Sequence, residues 1–183
     1  MSENNPFAGL PEVPAFSLVS ETFVDGQPWP AAQPSRIFGI PEGEDRSPHL
    51  AWGNVPEETK SFVVTVYDPD APTGSGFWHW AVADIPAHVT ELPEGAGDEN
   101  GMGLPEGARQ FRNDAGTRSF VGAAPPAGHG QHRYFVTVSA VDVDHIDADG
   151  DASPALPGFI LSSHVIGRAF LVATAEIPAE IDA

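Results

Sequence analysis

The sequence predicts a mainly β fold in a single domain, and three observations lead to that reading. Nineteen glycines and nineteen prolines are spread along 183 residues instead of gathering in one tract, as expected when many short strands are joined by turns. Between them the apolar residues come in short runs rich in Val, Ile, Phe, Trp and Tyr, types that suit a pleated, half-buried surface. Apolar residues make up 41% of the chain and charged residues 19%, so there is enough apolar surface to offset the entropy of ordering, which excludes a disordered chain.

Six segments carry the strand pattern: Ala15 to Phe23, His49 to Asn54, Ser61 to Tyr67, Phe77 to Ile85, His132 to Val143 and Ala169 to Ile177. Each has β-branched or aromatic content, and most are bounded by Pro or Gly. One helix is expected near the C-terminus, with Ser153 as N-cap and Pro154 as first helical residue, running to about Arg168. Its stripe of Ile160, Leu161, His164, Val165 and Ala169 recurs at three- and four-residue steps, placing His164 at the core or the stripe's edge. Pro86 to Phe120 has little periodicity and exceeds the ~12–15 residues usual for a structureless loop; such loops often carry function. Leu-Pro-Glu-Gly occurs at Leu92 to Gly95 and again at Leu104 to Gly107, which turn chemistry explains without a structural repeat. The boundaries read as an N-terminal extension over 1–14, one domain over 15–178 and a tail over 179–183.

With 26 acidic against 8 basic residues the formal charge is −18. Phosphate backbones are bound by clustered Lys and Arg, so nucleic acid is excluded as a partner, as is adsorption to an anionic membrane surface. The absence of cysteine rules out disulfides, thiol nucleophiles and thiolate metal sites. The N-terminus has no basic region followed by an apolar one, and no run of 18 apolar residues occurs, so the expected location is the cytoplasm, without integral membrane contact.

Three segments have the makings of a site. In Tyr67-Asp68-Pro69-Asp70-Ala71-Pro72, Pro69 pushes Asp68 toward extended geometry at the end of a strand, holding a carboxylate on a stiff platform. A plain turn, with Asp68 or Asp70 bonded to backbone amides, accounts for the same residues. In Phe77-Trp78-His79-Trp80, strand alternation puts Trp78, Trp80 and Val82 on one face and Phe77, His79 and Ala81 on the other; His79 then needs solvent, a partner or a pocket, or is simply structural. In Phe120 to Phe135, glycines and the Pro125-Pro126 pair shape a tight loop able to form an anion-binding nest, and the strand after it sends His132 and Tyr134 to one face, Arg133 and Phe135 to the other. An aromatic core with a buried tyrosine hydroxyl is the structural alternative. His129 and His132 lie three apart in a Gly-rich loop that sets no metal geometry. The acidic run Asp142, Asp144, Asp147, Asp149, Asp151 lacks the glycine and glutamate of a calcium loop. No metal and no cofactor is expected.

Taken in order and at their spacing, Asp68-Pro69-Asp70-Ala71-Pro72, then Trp78-His79-Trp80, then Gly122 through Pro125-Pro126 to His132-Arg133-Tyr134 resemble the two signature regions of the phosphatidylethanolamine-binding (Raf kinase inhibitor-like) proteins, in their bacterial branch. The resemblance runs from about Phe16 to about Glu176 and includes Ser163-His164-Val165-Ile166-Gly167-Arg168-Ala169. It implies an antiparallel β-sandwich with a few short peripheral helices, a homodimer, and a ligand pocket where the two regions meet. Carried over residue by residue, that pocket comprises Asp68, Asp70, His79, His132 and Tyr134, with Ala123, Ala124, Pro125 and Pro126 as one wall and a Trp or Phe near His79 as apolar lining.

The function implied is non-catalytic binding of a small anionic or zwitterionic ligand such as phosphate or phosphoethanolamine. His79, His132 and Tyr134 would donate to phosphate oxygens, while one carboxylate orients a histidine or backbone amides. A protein partner, a kinase or a protease, belongs to the same resemblance. Two other readings stay open: a hydrolase with Asp68 and His79 as a general-base pair, without a Gly-x-Ser-x-Gly elbow, and a protease-inhibitor or other protein-interaction module.

Overall fold

From Ser61 to Asp68 one face carries Phe62, Val64 and Val66 and the other Ser61, Val63, Thr65 and Tyr67; all but Thr65 and Tyr67 are buried, so this strand is covered on both faces and sits at the centre of the large sheet. The computed structural model describes residues 5–179. In it β1 (Ser17–Val19), β2 (Leu50–Gly53) and β5 (Glu91–Leu92) form a small antiparallel sheet in the order β1-β2-β5. β3 (Ser61–Asp68), β4 (Phe77–Pro86), β6 (Arg109–Gln110), β7 (His132–Val141) and β8 (Val165–Ala175) form a larger one, in the order β6-β4-β3-β7-β8 and also antiparallel.

The main core lies between the sheets. Phe62, Val64 and Val66 of β3, Trp80 and Val82 of β4, and Val136 and Val138 of β7 meet Leu50, Trp52 and Leu92 from the small sheet. Each such side chain contributes roughly 1.5–3 kcal/mol when fully buried, which outweighs the weak intrinsic preferences of the short strands around it. The opposite face of the large sheet buries Val63, Ala81, Ala83, Phe111 and Val141 under Ile146 and Leu161. The fold is therefore the mainly β sandwich expected.

β4 is bulged twice, and the first bulge overturns the expected alternation. Val64 pairs with Val82 and Val66 with Trp80, but Tyr67 pairs with Trp78, so His79 is an extra residue on β4. A single inserted residue reverses which face the following side chains take. Trp78 consequently stacks on Tyr67 on the outer face, ring centroids 4.4 Å apart. His79 shares the inner face with Trp80 and lies 5.1 Å from the ring of Tyr134.

The C-terminal helix is shorter than expected. α1 spans Ala155–Ile160, a 3-10 turn follows over Leu161–Ser163, and Val165 to Arg168 already belong to β8. Ser153 lies before the cap position, which Pro154 takes without a side-chain cap bond. Pro157 and Gly158 are weak helix formers in its middle, whereas β-branched Val165 and Ile166 suit the strand, which gains the full ladder against β7. His164, outside the helix, hydrogen-bonds Asp142 at 2.8 Å.

The long stretch 86–120 holds the two short strands β5 and β6, and its returns are tied by side chains. Trp80 Nε1 donates to Gln110 Oε1 at 2.7 Å, and Asn113 Nδ2 donates to the carbonyls of Ser119 and His79. At the N-terminus, the described part of the predicted extension lies on the outer face. Phe7 packs on Phe135 and Phe170, and the Arg168 N–H donates to the Pro14 carbonyl at 3.0 Å. Residues 1–4 and 180–183, the ends of the predicted extension and tail, lie outside the described residues. Among the described residues no helix is long and apolar enough to cross a membrane.

Candidate functional site

The inner face is apolar along its length and turns polar at one end. On β3 the series Val64, Val66 continues to Asp68; on β7 the series Val138, Val136 continues to Tyr134 and His132. The two strands are antiparallel neighbours with Tyr67 opposite Phe135, so the end of β3 and the start of β7 coincide and bring Asp68, Tyr134 and His132 together. The β4 bulge adds His79 from the other side. Alternation alone suffices for the first three residues; the fourth needs the bulge.

These four side chains form the floor of a cleft of about 390 Å³. Ala124, Pro125 and Pro126 line one wall, Phe77 and the Ala71-Pro72-Thr73 turn another, and Phe38 and Ile40 close it from a preceding loop. Of the residues predicted for the pocket, Asp68, His79, Ala124, Pro125, Pro126, His132 and Tyr134 line the cleft. Two stand behind it. Asp70 turns away to Arg133, whose Nε and Nη2 donate to its two carboxylate oxygens at 2.8 Å each. Ala123 is buried, and its carbonyl accepts from the Ser35 N–H at 2.9 Å. The apolar lining near His79 is Phe77; Trp78 faces the other side of the sheet.

Hydrogen bonding decides what each floor residue offers. A carboxylate only accepts, so His132 Nδ1 donates to Asp68 Oδ2, at 2.7 Å. The other oxygen of Asp68 accepts the Asp70 N–H at 2.7 Å. His132 Nε2 and His129 Nδ1 are 2.7 Å apart and joined by a hydrogen bond, so a line of bonded groups runs from buried Asp68 to exposed His129. His79 Nδ1 donates to the Val121 carbonyl at 2.8 Å. Burial pushes the pKa of His79 below its ordinary value, more strongly than the Val121 carbonyl and the Asp68 charge raise it; the ring is neutral near pH 7, and its Nε2 is a bare acceptor. Burial also raises the pKa of Tyr134 far above its usual range, reinforced by the charges of Asp68 and Asp70, so its hydroxyl keeps its proton. That hydroxyl has no protein partner among the described residues.

His79 therefore accepts where the sequence reading had it donate, a consequence of the Val121 carbonyl that no local pattern announces. The Asp68–His79 pair considered for hydrolysis is not formed, because Asp68 is held by His132. His129 and the lining pair Phe38 and Ile40 went unassigned as site residues. His129 has a signal in its spacing from His132; the loop before β2 has none. Among the described residues no group of three or more His, Cys, Asp or Glu side chains could hold a metal ion.

The family model for phosphatidylethanolamine-binding proteins matches residues 19–176. The chain belongs to that family. It is 47% identical over 163 residues to the UPF0098 protein YbcL of Escherichia coli (strain K12), covering 89% of this chain and 88% of that protein. It is 46% identical over 156 residues to YbhB of the same organism, covering 85% and 97%. The crystal structure of E. coli YbcL, described as a new member of the mammalian PEBP family, superimposes with a TM-score of 0.85, covering 88% of this chain and 98% of that one at 46% identity. A PEBP homologue from Chlamydia trachomatis superimposes with a TM-score of 0.72 at 30% identity, over 88% and 97% of the two chains. In this PEBP-family chain both signature regions converge on the cleft floor.

Proposed function

We propose that the cleft binds, without chemical conversion, a small zwitterion carrying an anionic phosphate and an ammonium group, the chemistry of a phosphoethanolamine headgroup. The observation that carries this reading is the pair of unspent polar atoms on a floor whose other polar groups, Asp68 and His132, already bond each other: the Tyr134 hydroxyl as donor and His79 Nε2 as acceptor. A ligand that satisfies both must itself accept and donate, as a phosphate and an ammonium do within one molecule. Both oxygens of Asp68 are already engaged, which lessens the repulsion that a bare carboxylate would exert on a phosphate. The family's name supports the ligand class, and membership carries a homodimeric state into the same proposal.

Calorimetric titration with phosphoethanolamine, inorganic phosphate and ethanolamine tests this. Saturable binding of phosphoethanolamine, tighter than either fragment and weakened in Tyr134→Phe and His79→Ala, is the expected result. No heat of binding from any of the three, on a protein shown to be folded, would overturn it.

A further inference from the structure

A second cleft lies on the opposite face of the large sheet and shares no lining residue with the first. Its volume is about 420 Å³, within the range of small-molecule sites. Trp78, Phe111 and Phe135 make its floor apolar, and Phe7 and Leu161 border it from the N-terminal segment and the 3-10 turn. Two features separate it from a packing defect.

The first is Arg168, half-buried on β8 and reaching the cleft. Its guanidinium lies over the Phe7 ring at 5.4 Å and, among the described residues, meets no carboxylate within ion-pair distance. In a chain with 26 acidic and 8 basic residues, a half-buried cation with no anion beside it among the described residues is unexpected, because burial without a partner is costly. Burial lowers its pKa; the guanidinium nonetheless stays charged. The second is a row of hydroxyls on the floor. Thr65 and Thr137 are direct neighbours across β3 and β7 and both line the cleft. Thr137 is only 6% exposed, and its hydroxyl has no protein partner among the described residues.

We propose that this outer cleft binds a small monocarboxylate with an apolar body, of the class of medium-chain alkanoates, its carboxylate on Arg168 and its body along Trp78, Phe111 and Phe135. The planar guanidinium matches a carboxylate in two parallel bonds. A single cation in a field of net charge −18 favours a monoanion over a phosphate dianion, which the surrounding acids repel more strongly. The Thr65 and Thr137 hydroxyls provide a hydrogen bond for the second carboxylate oxygen or a bound water.

Decanoate is the probe, with decanol as its uncharged counterpart, followed by calorimetry and by the fluorescence of Trp78, which lines this cleft and not the other. Saturable decanoate binding, unaffected by saturating phosphoethanolamine, is expected. Arg168→Gln should weaken it roughly tenfold or more, as loss of a charge-assisted bond does. Thr137→Val, which preserves shape and tests the site independently should Arg168→Gln fail to fold, should weaken it by a smaller factor. Decanol should bind more weakly than decanoate. The proposal is overturned if the folded protein takes up no decanoate, or if decanol binds as tightly and neither variant changes the affinity. It is also overturned if sedimentation finds a dimer that Arg168→Gln splits while decanoate is not taken up, which would assign this face to a second copy of the chain.

Discussion

The Asp68 carboxylate and the His132 ring are joined at 2.7 Å, with side chains only 4% and 2% exposed. They come from the end of one strand and the start of its neighbour, 64 residues apart in sequence. The bond therefore fastens the open end of the sandwich and orients the imidazole that faces the cleft. Fold and site depend on the same contact, so its removal has two separable effects.

Asp68→Ala leaves His132 Nδ1 buried without an acceptor, which costs about 1–3 kcal/mol. Asp68→Asn retains the shape and an acceptor oxygen, and should cost less. Headgroup affinity should fall clearly in Asp68→Ala, which frees the His132 ring to turn, and less in Asp68→Asn, which keeps an acceptor for it but loses the charge. Urea denaturation beside calorimetry separates the effects; an Asp68→Asn protein with native stability and native affinity would show that the charge of Asp68 is idle.

The pH dependence of stability should carry the mark of His79. Its folded-state pKa lies below the unfolded value because of burial. Above about pH 6.5 both states are neutral there and it contributes nothing. As pH falls below that value the unfolded chain takes up a proton that the folded one refuses, and stability declines by up to about 1.4 kcal/mol per pH unit from this group. Denaturation of the protein and of His79→Gln at pH 7.5 and 5.5 checks this. The variant should lose less stability between the two, and identical losses would place the pH dependence elsewhere.

Legibility in the sequence divides along physical lines. The bodies of β3, β4 and β7 were readable because β-branched and aromatic residues are concentrated there between Pro and Gly, and the gathering of Asp68, His132 and Tyr134 follows from where those strands end and begin. The fate of His79 was not readable. A bulge is set by pairing with a distant strand, and nothing in Phe77-Trp78-His79-Trp80 marks which residue is extra. The helix expected up to Arg168 erred for a related reason: three- and four-residue apolar steps over so short a stretch also fit a turn that leads into a strand, and β7 decides between them. Asp70 lies beside Asp68 in the motif, but the side chain that claims it, Arg133, is 63 residues away.

Asp70 and Arg133 give a test of that last point. Burial raises the Asp70 pKa, but the Arg133 hydrogen bonds and charge together outweigh it and hold the carboxyl below its usual value. The stabilisation is present above the unfolded carboxylate pKa near 3.9 and is lost as pH falls through the lower folded value. Asp70→Asn should therefore narrow the difference in stability between pH 7 and pH 3. It should leave headgroup affinity within about threefold, since the pair stands behind the wall and acts by holding the turn after β3. A complete loss of binding in a stable Asp70→Asn protein would instead put this carboxylate in contact with ligand.

Gly122 marks where the wall cannot accept a side chain. Its N–H donates to Asp45 Oδ1 at 2.8 Å, and a Cβ there would lie 2.1 Å from the Gln33 carbonyl oxygen and 2.5 Å from the Pro34 carbonyl carbon. Both obstacles are backbone, so relief requires moving the loop before β2, which carries Phe38 and Ile40, or the segment leading to Pro125 and Pro126. Overpacking of this kind costs about 1–3 kcal/mol, and either displacement alters the cleft. Gly122→Ala should accordingly lower both thermal stability and headgroup affinity. Gly74→Ala is the control, because nothing lies within 4 Å of a Cβ at that position and its stability should stay within about 0.5 kcal/mol of the parent. Equal melting temperatures for the two variants would mean that the contact between the 33–34 backbone and the cleft wall is looser than the structure has it.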